Sequence, residues 1–444
     1  MSTDQELELK QLNAQKETVK RILNTFYKAD AKKTFTSHHF EEAEKFQASN
    51  DYFNALINWN KVLANMTSKH DFSYVYNKRS IIYKECKLYK ECLNNIMMAE
   101  GHNTSQQEDL SERKEFCELA IEQQSENKDD EYFLKLSYPP NPKMPFAIDC
   151  LKLKNNLIFG NHIITDQDLN IGDVICIENP FFANLSNNNE VDSYYEKDSC
   201  FQRCYHCFKY NNMNLIPCNK CNFAMFCSIT CQDKAREIYH KYECVINIKL
   251  DGVKDIVRSM RSFFLTLYLY DGNFHEMKAS FVARDFKVKT VYDCDLSDPT
   301  SSDYARNLMH IFDSYNAPKK NKPLSIIETI FNCHPDLAEI WEGNETFIMA
   351  FLCRHVDNLR ELEQVMIQWP GNTTQLISKV PEKRNNFHTN LIRNIIGVGY
   401  YPFVGLFNHS CVQNIFRHFN DKNQIVLIVC RPINKGEQLF DDYT

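Results

Sequence analysis

Between residues 204 and 244 the chain sets out eight soft metal ligands in pairs: Cys204-x2-Cys207, Cys218-x2-Cys221, Cys227-x3-Cys231 and His240-x3-Cys244. Thiolate and imidazole are the donors zinc prefers, and a Cys-x2-Cys pair on a tight turn brings two thiolates to one tetrahedral ion. The other two pairs have the i, i+4 spacing that shares a helix face. Eight ligands make two closed four-coordinate sites, so two structural Zn2+ ions are expected, with no open catalytic position. Each such site contributes about 10 kcal/mol or more of folding free energy. A segment this small needs that help. Spacing alone leaves sequential and interleaved pairing open.

A second set of residues is scattered. Gly160-Asn161 follows Leu157-Ile158-Phe159. Asn385 sits in Arg384-Asn385-Asn386-Phe387. Asn408-His409-Ser410-Cys411 comes shortly after Gly397-Val398-Gly399, and Gly436-Glu437 leads to Tyr443. Gly397-x-Gly399 is not a dinucleotide fingerprint, because the third glycine is absent and strands, not a helix, are expected next. His409 with Cys411 is not read as a nucleophilic pair: the two side chains point in parallel along one strand, and no orienting partner is evident.

These groups must be positioned by a chain of 444 residues, long enough for several cores. Hydrophobic residues make 43% and charged residues 25%, a globular composition. Lys and Arg number 51 against 58 Asp and Glu, a net charge of -7. Such a chain does not hold nucleic acid by bulk electrostatics, and direct nucleic-acid binding is not expected. The cysteine-rich segment carries a local charge of +3, from Arg203, Lys209, Lys220, Lys234, Arg236 and Lys241 against Asp233, Glu237 and Glu243. We read that as a solvated face. Only 11 glycines argue against glycine-rich phosphate loops. The polar start MSTDQELELKQLNAQKE carries no secretory pattern. The longest apolar stretch, around Phe263 to Tyr270, falls short of the ~20 residues of a membrane span. A reducing compartment is therefore expected, with the 18 cysteines serving as thiols or ligands.

The expected fold class is multidomain α+β. Residues 1–137 read as helical: Leu7, Leu12, Val19, Ile22, Leu23 and Phe26 have helical spacing. Asn50 to Leu63 and Leu88 to Ala99 then form a weak repeat, with Tyr76 to Tyr83 opening a second two-helix unit. This resembles tetratricopeptide repeats. The helix around Leu110 to Ile121 is a third partner, and such an array offers a groove for a peptide. Residues 138–145, rich in proline, read as a linker. Leu157-Ile158-Phe159, Ile163-Ile164 and Val174 to Ile177 read as strands, Asn184 to Asp198 as a polar loop, residues 245–380 as a helical insert, and Ile425 to Val429 as the clearest later strand.

The pattern C-x2-C-x10-C-x2-C-x5-C-x3-C-x8-H-x3-C resembles the MYND zinc finger. The resemblance implies interleaving, with Cys204, Cys207, Cys227 and Cys231 on one ion and Cys218, Cys221, His240 and Cys244 on the other. It also implies partners that present proline-rich peptides, histone deacetylase complexes among them. Asn408-His409-Ser410-Cys411, followed by Gly436-Glu437 and Tyr443, resembles the SET signature. Together the motifs resemble the SET and MYND domain-containing protein-lysine methyltransferases, in their tetratricopeptide-bearing branch. The resemblance covers most of residues 146–444. It places the first part of the SET domain at 146–198, the finger at 204–244 and the second part at 384–444.

What the family implies is an enzyme that moves a methyl group from S-adenosylmethionine to a lysine of a histone or another protein. Gly160, Asn161, Asn385, Asn408 and His409 would bind the cofactor. Tyr443 would orient the lysine amine. A monomer in nucleus and cytoplasm is expected, with no membrane contact. In the family the cysteine of Asn-His-Ser-Cys joins a third zinc site with cysteines beyond the tyrosine. Cys411 stands at that place here, while the sequence runs only to Thr444. The expectation is a C-terminally truncated member, weak or inactive in isolation, with a MYND and tetratricopeptide adaptor or corepressor as the alternative. Gln413 and Phe159 also depart from the family pattern, which favours proline and a basic residue there.

Overall fold

The computed structural model describes residues 29–66, 69–102, 107–123, 134–185, 198–244, 254–282, 295–312, 324–332, 334–356, 359–367, 391–420 and 422–442. The helix expected over Leu7 to Phe26, Asn385 and Tyr443 lie outside the described residues.

Helices α1 (Ala29–Ala48), α2 (Tyr52–Asn65), α3 (Lys69–Glu85), α4 (Tyr89–Glu100) and α5 (Gln107–Gln123) form the N-terminal array. Asp51 starts α2 by accepting the Asn54 amide at 3.3 Å, which satisfies one of the free N–H groups of the first turn. Trp59, Val62 and Leu63 of α2 are buried in one core with Ala43, Tyr76 and Tyr83. The indole N–H of Trp59 donates to Gln47 at 2.9 Å, so its polar edge is satisfied inside that core. α1 and α2 make one hairpin, α3 and α4 the next, and α5 covers the end. The array is in contact with the finger end of the chain. Asn60, Arg79, Tyr83 and Asn95 grip the segment from Phe201 to Leu215.

The next part is a β domain cut by two insertions. Strands β1 (Pro140–Asn141), β2 (Met144–Ile148) and β5 (Val174–Glu178) join β13 (Ile425–Val429) and β12 (Ile415–Phe419) in one sheet, ordered β1-β2-β5-β13-β12. The proline-rich stretch is therefore no linker, and the sheet begins inside it. Pro140 sits on the edge strand β1, where a missing amide breaks no interior ladder. β3 (Leu151–Asn156) and β4 (Gly160–Thr165) form a hairpin. Leu157-Ile158-Phe159, expected as a strand, is its turn. Leu157 and Ile158 are almost fully exposed there: apolar content without alternation does not make a strand.

A third sheet runs β6 (Phe182–Leu185), β10 (Leu391–Tyr400), β9 (Leu359–Ile367). β6 takes in Asn184, which sequence reading placed in a loop. The helical insert ends at Val356, not near residue 380, because β9 follows directly. β9 reads Leu-Arg-Glu-Leu-Glu-Gln-Val-Met-Ile. Its Leu, Glu and Gln content favours a helix, and tertiary pairing overrides it. Gly397 is required in this sheet: a Cβ there would lie 2.1 Å from the Asn184 oxygen. The insert's helices bury Phe263, Phe264, Phe331, Trp341 and Phe351 in the same core as the array and finger. Among the described residues no helix is long and apolar enough to cross a membrane.

The chain closes on itself near its end. β11 (Asn408–His409) pairs in parallel with β14 (Phe440–Asp441), and Leu439 N–H donates to the Ile163 oxygen at 2.9 Å.

Candidate functional site

Two ligand clusters occupy the finger, around the short strands β7 (Ile216–Pro217) and β8 (Met225–Phe226). Cys204, Cys207, Cys227 and Cys231 gather in one, and Cys218, Cys221, His240 and Cys244 in the other; within each, the ligand atoms lie within 4.8 Å of one another. The pairing is interleaved. Cys207 and Cys227 sulfurs are 3.6 Å apart, Cys227 and Cys231 3.6 Å, and Cys218 and Cys244 3.8 Å. Tetrahedral zinc with bonds of about 2.3 Å places its sulfurs about 3.8 Å apart, so both donor sets fit that ion. His240 turns Nε2 into its cluster, 3.3 Å from the Cys218 sulfur. The shared-helix expectation holds for only one pair. Cys227 precedes the helix α6 (Ile229–Ala235), and Ser228 caps it by accepting the Cys231 amide at 3.2 Å. Cys244 N–H does close a helical turn onto the His240 oxygen at 2.8 Å. Within each cluster the thiols act on one another: hydrogen bonds from Cys204 and Cys227 draw the Cys207 thiol down while the Cys227 thiol is pushed up, and Cys218 is likewise drawn down while Cys221 is pushed up.

The finger is pinned to the β domain by a buried cation. Arg261, on helix α7 (Lys254–Leu269), donates to both Glu243 oxygens at 2.8 and 2.6 Å and to the Ala183 main-chain oxygen of β6. Its guanidinium stacks 4.7 Å from the Tyr205 ring and 4.1 Å from Tyr239. Burial drives the Tyr205 phenol far up. Nothing in the spacing around Arg261 distinguished it from any other helical arginine.

The scattered residues converge elsewhere. Asn408 donates its side-chain amide to the Phe159 oxygen at 3.1 Å, which joins the Asn-His segment to the Gly160 turn. Gly160 has φ +61, and a Cβ built on it meets nothing within 4 Å, so open space lies beside the turn. Asn161 lies at the start of β4, its oxygen accepting from Asn155 at 2.7 Å. The Phe159 and Phe440 rings meet edge to face at 6.1 Å. Asn414 ties the end of the chain to this junction: it donates to the Gln438 oxygen at 2.9 Å and accepts the Phe440 amide at 2.7 Å. Arg417 pairs with Asp441 at 3.1 Å and also bonds the Asp442 oxygen.

His409 stands between two groups, Cys411 Sγ at 3.3 Å from Nε2 and Asp442 Oδ1 at 3.7 Å from Nδ1. No local pattern marks Asp442 as an acidic neighbour of His409. Yet 3.7 Å exceeds hydrogen-bond length, so the carboxylate does not orient the imidazole as a nucleophile's base requires.

Beneath the junction lies Glu178, 2% exposed. Its carboxylate accepts the amides of Phe403 and Val404 at 2.8 and 2.9 Å. Those amides open the short turn that leads to Asn408. Burial pushes the Glu178 carboxyl up to about 8 against the two hydrogen bonds, which act to lower it.

Comparison with known proteins agrees with the geometry. A family model described as MYND finger matches residues 204–244. Protein-lysine N-methyltransferase SMYD4 of Danio rerio is 23% identical over 215 residues, covering 45% of this chain and 28% of that protein. The Pongo abelii protein of the same name is 21% identical over 366 residues, covering 68% and 43%. Histone-lysine N-methyltransferase ASHR1 of Arabidopsis thaliana is 22% identical over 281 residues, covering 62% and 46%. The chain thus spans less than half the length of these relatives.

Proposed function

We propose, from the premise that the chain is a distant homologue of the SET and MYND domain-containing protein-lysine methyltransferases, that it transfers methyl groups from S-adenosylmethionine to protein lysines. The observation that carries this reading is the junction of Asn408 with the Phe159–Gly160 turn, closed from below by β14. The residues fit the cofactor. The open space at Gly160 accepts close backbone approach. The Asn408 amide and the Phe159 and Phe440 rings meet at the same turn, and they suit a ligand with a polar, planar end and a charged tail.

When bound, the cofactor supplies an electrophilic sulfonium methyl. Asn408 holds the turn at a fixed distance, while His409 and Asn161 offer polar edges. Asn385 is a further proposed contact. Tyr443 is proposed to orient the lysine amine; a phenol ordinarily titrates near pH 10, at about 10.0, so it positions and does not take the proton. Catalysis then rests on alignment and exclusion of water. The two metal clusters stand apart from this chemistry as structural zinc sites. On this reading the finger recruits proline-rich peptides of partner proteins, and the chain works in nucleus and cytoplasm.

The test is transfer of labelled methyl from S-adenosylmethionine to histones and to a cell-extract protein pool, with Asn408→Ala as control. Label on lysine that the variant does not produce supports the proposal. Absence of both transfer and cofactor binding overturns it and leaves an adaptor built on the finger and array.

A further inference from the structure

Most of the segment that the array holds is the finger's own loop between its two metal clusters. It leaves Cys207 of the first cluster and reaches Cys218 of the second. Three consecutive non-glycine residues in it, Asn211, Asn212 and Met213, have φ of 45°, 49° and 57°. A run of three such residues is uncommon outside glycine, although Asn tolerates the region. The loop's own turns, Met213 N–H to the Tyr210 oxygen and Asn214 N–H to the Asn211 oxygen at 2.9 Å each, support it in part. Two further things hold it. From one side come the ligand pairs at its ends. From the other comes a row of buried polar side chains on the array.

The row donates to main-chain oxygens and to the Asn214 side chain. Asn60 donates to the oxygens of Phe201 and Met213 at 2.8 and 3.0 Å. Arg79 donates to the oxygen of Leu215 at 2.9 Å and to the Asn214 side chain at 3.1 Å. Tyr83 donates to the Asn212 oxygen at 3.0 Å and Asn95 to the Asn214 side chain at 2.9 Å. From the loop, Asn212 donates back to Glu91 at 2.7 Å. Asn60 and Arg79 have no exposed surface. Groups so buried must keep their partners, and those partners exist only while the loop holds this shape.

We propose that metal binding in the finger and docking of the helical array are thermodynamically linked. The array closes on the loop when both clusters are loaded, and loss of metal releases its polar face. Linkage is reciprocal: if metal favours docking by some factor, docking favours metal by the same factor. Arg79, far from either ligand set in sequence, is then a determinant of metal affinity. This inference does not depend on the methyltransferase reading.

The experiment uses the full chain. Zinc affinity is measured by competition with a chromophoric chelator, and hydrogen exchange is followed in parallel. Chelation should raise exchange across residues 52–100 while the sheet strands Val174–Glu178 and Ile425–Val429 stay protected. Arg79→Met should weaken zinc binding about tenfold or more. Asn212→Asp, which sets a carboxylate against Glu91 from the loop side and leaves the array's own packing intact, should do the same. Unchanged zinc affinity in Asn212→Asp overturns the proposal. So does unchanged exchange in the array after chelation, or equal loosening of array and sheet.

Discussion

Asn408 donates its side-chain amide to the main-chain oxygen of Phe159 at 3.1 Å, across 249 residues of chain. Everything between them, including the finger, the helical insert and strands β4, β5, β6, β9 and β10, is looped out from that contact. Two segments carrying separate halves of a signature thereby become one edge of an open junction.

Asn414 completes the junction from behind. Its amide and oxygen hold Gln438 and Phe440 together. Asn414→Ala should cost about 2–4 kcal/mol, because two partners lose hydrogen bonds in a buried setting. Chemical denaturation of both proteins checks this, and a loss under about 0.5 kcal/mol would show that β14 is held by its backbone pairing alone.

Glu178 predicts a pH dependence. Its carboxyl lies at about 8 in the folded chain, above its ordinary 4.5. Between those pH values the folded protein keeps a proton that the unfolded chain has released. Its contribution is therefore complete below pH 4.5 and is lost as the pH rises through 8. The span is worth about 5 kcal/mol at most. Glu178→Gln should remove this part of the slope when unfolding free energies are compared between acidic and mildly alkaline buffer. Parallel profiles would contradict the assignment.

Arg261 and Glu243 form a pair 3% and 12% exposed in their side chains. Arg261→Met leaves a buried carboxylate without its cation and should cost about 3–5 kcal/mol. Adding Glu243→Gln should recover much of that. A double-mutant cycle on thermal or urea unfolding measures the coupling. Additive losses would mean that the stacking on Tyr205 and Tyr239, and not the ion pair, pins the finger.

The two clusters predict two zinc ions per chain. Cys221→Ser should lower the bound zinc, counted by elemental mass spectrometry, from two toward one. Its melting temperature should fall as well, since metal binding there is folding free energy. Full retention of both ions would break the assignment of Cys221 as a ligand.

The finger was legible because paired ligands at fixed spacing leave few alternatives, and both clusters contain the residues expected. The helix pairs around Trp59 and Tyr83 were legible from periodicity. The contact of Asn60 and Arg79 with the segment from Phe201 to Leu215 was not legible. That contact joins residues far apart in sequence, and no local pattern records it. The strand Leu359–Ile367 was missed for the opposite reason: its local composition favours a helix, and only pairing with Leu391–Tyr400 makes it a strand. Of the proposed cofactor residues, Gly160, Asn161, Asn408 and His409 fall at one junction, while Asn385 and Tyr443 lie outside the described residues. Glu178 and Asp442 carried no signal, since an isolated acidic residue reads the same on a surface as in a core.

The most direct test titrates S-adenosylmethionine into the full chain by calorimetry, alongside Asn408→Ala and His409→Ala. The account predicts saturable one-to-one binding that falls at least about tenfold, or about 1.4 kcal/mol, in each variant. No binding by the unaltered chain at millimolar cofactor, or equal binding by all three proteins, would contradict it.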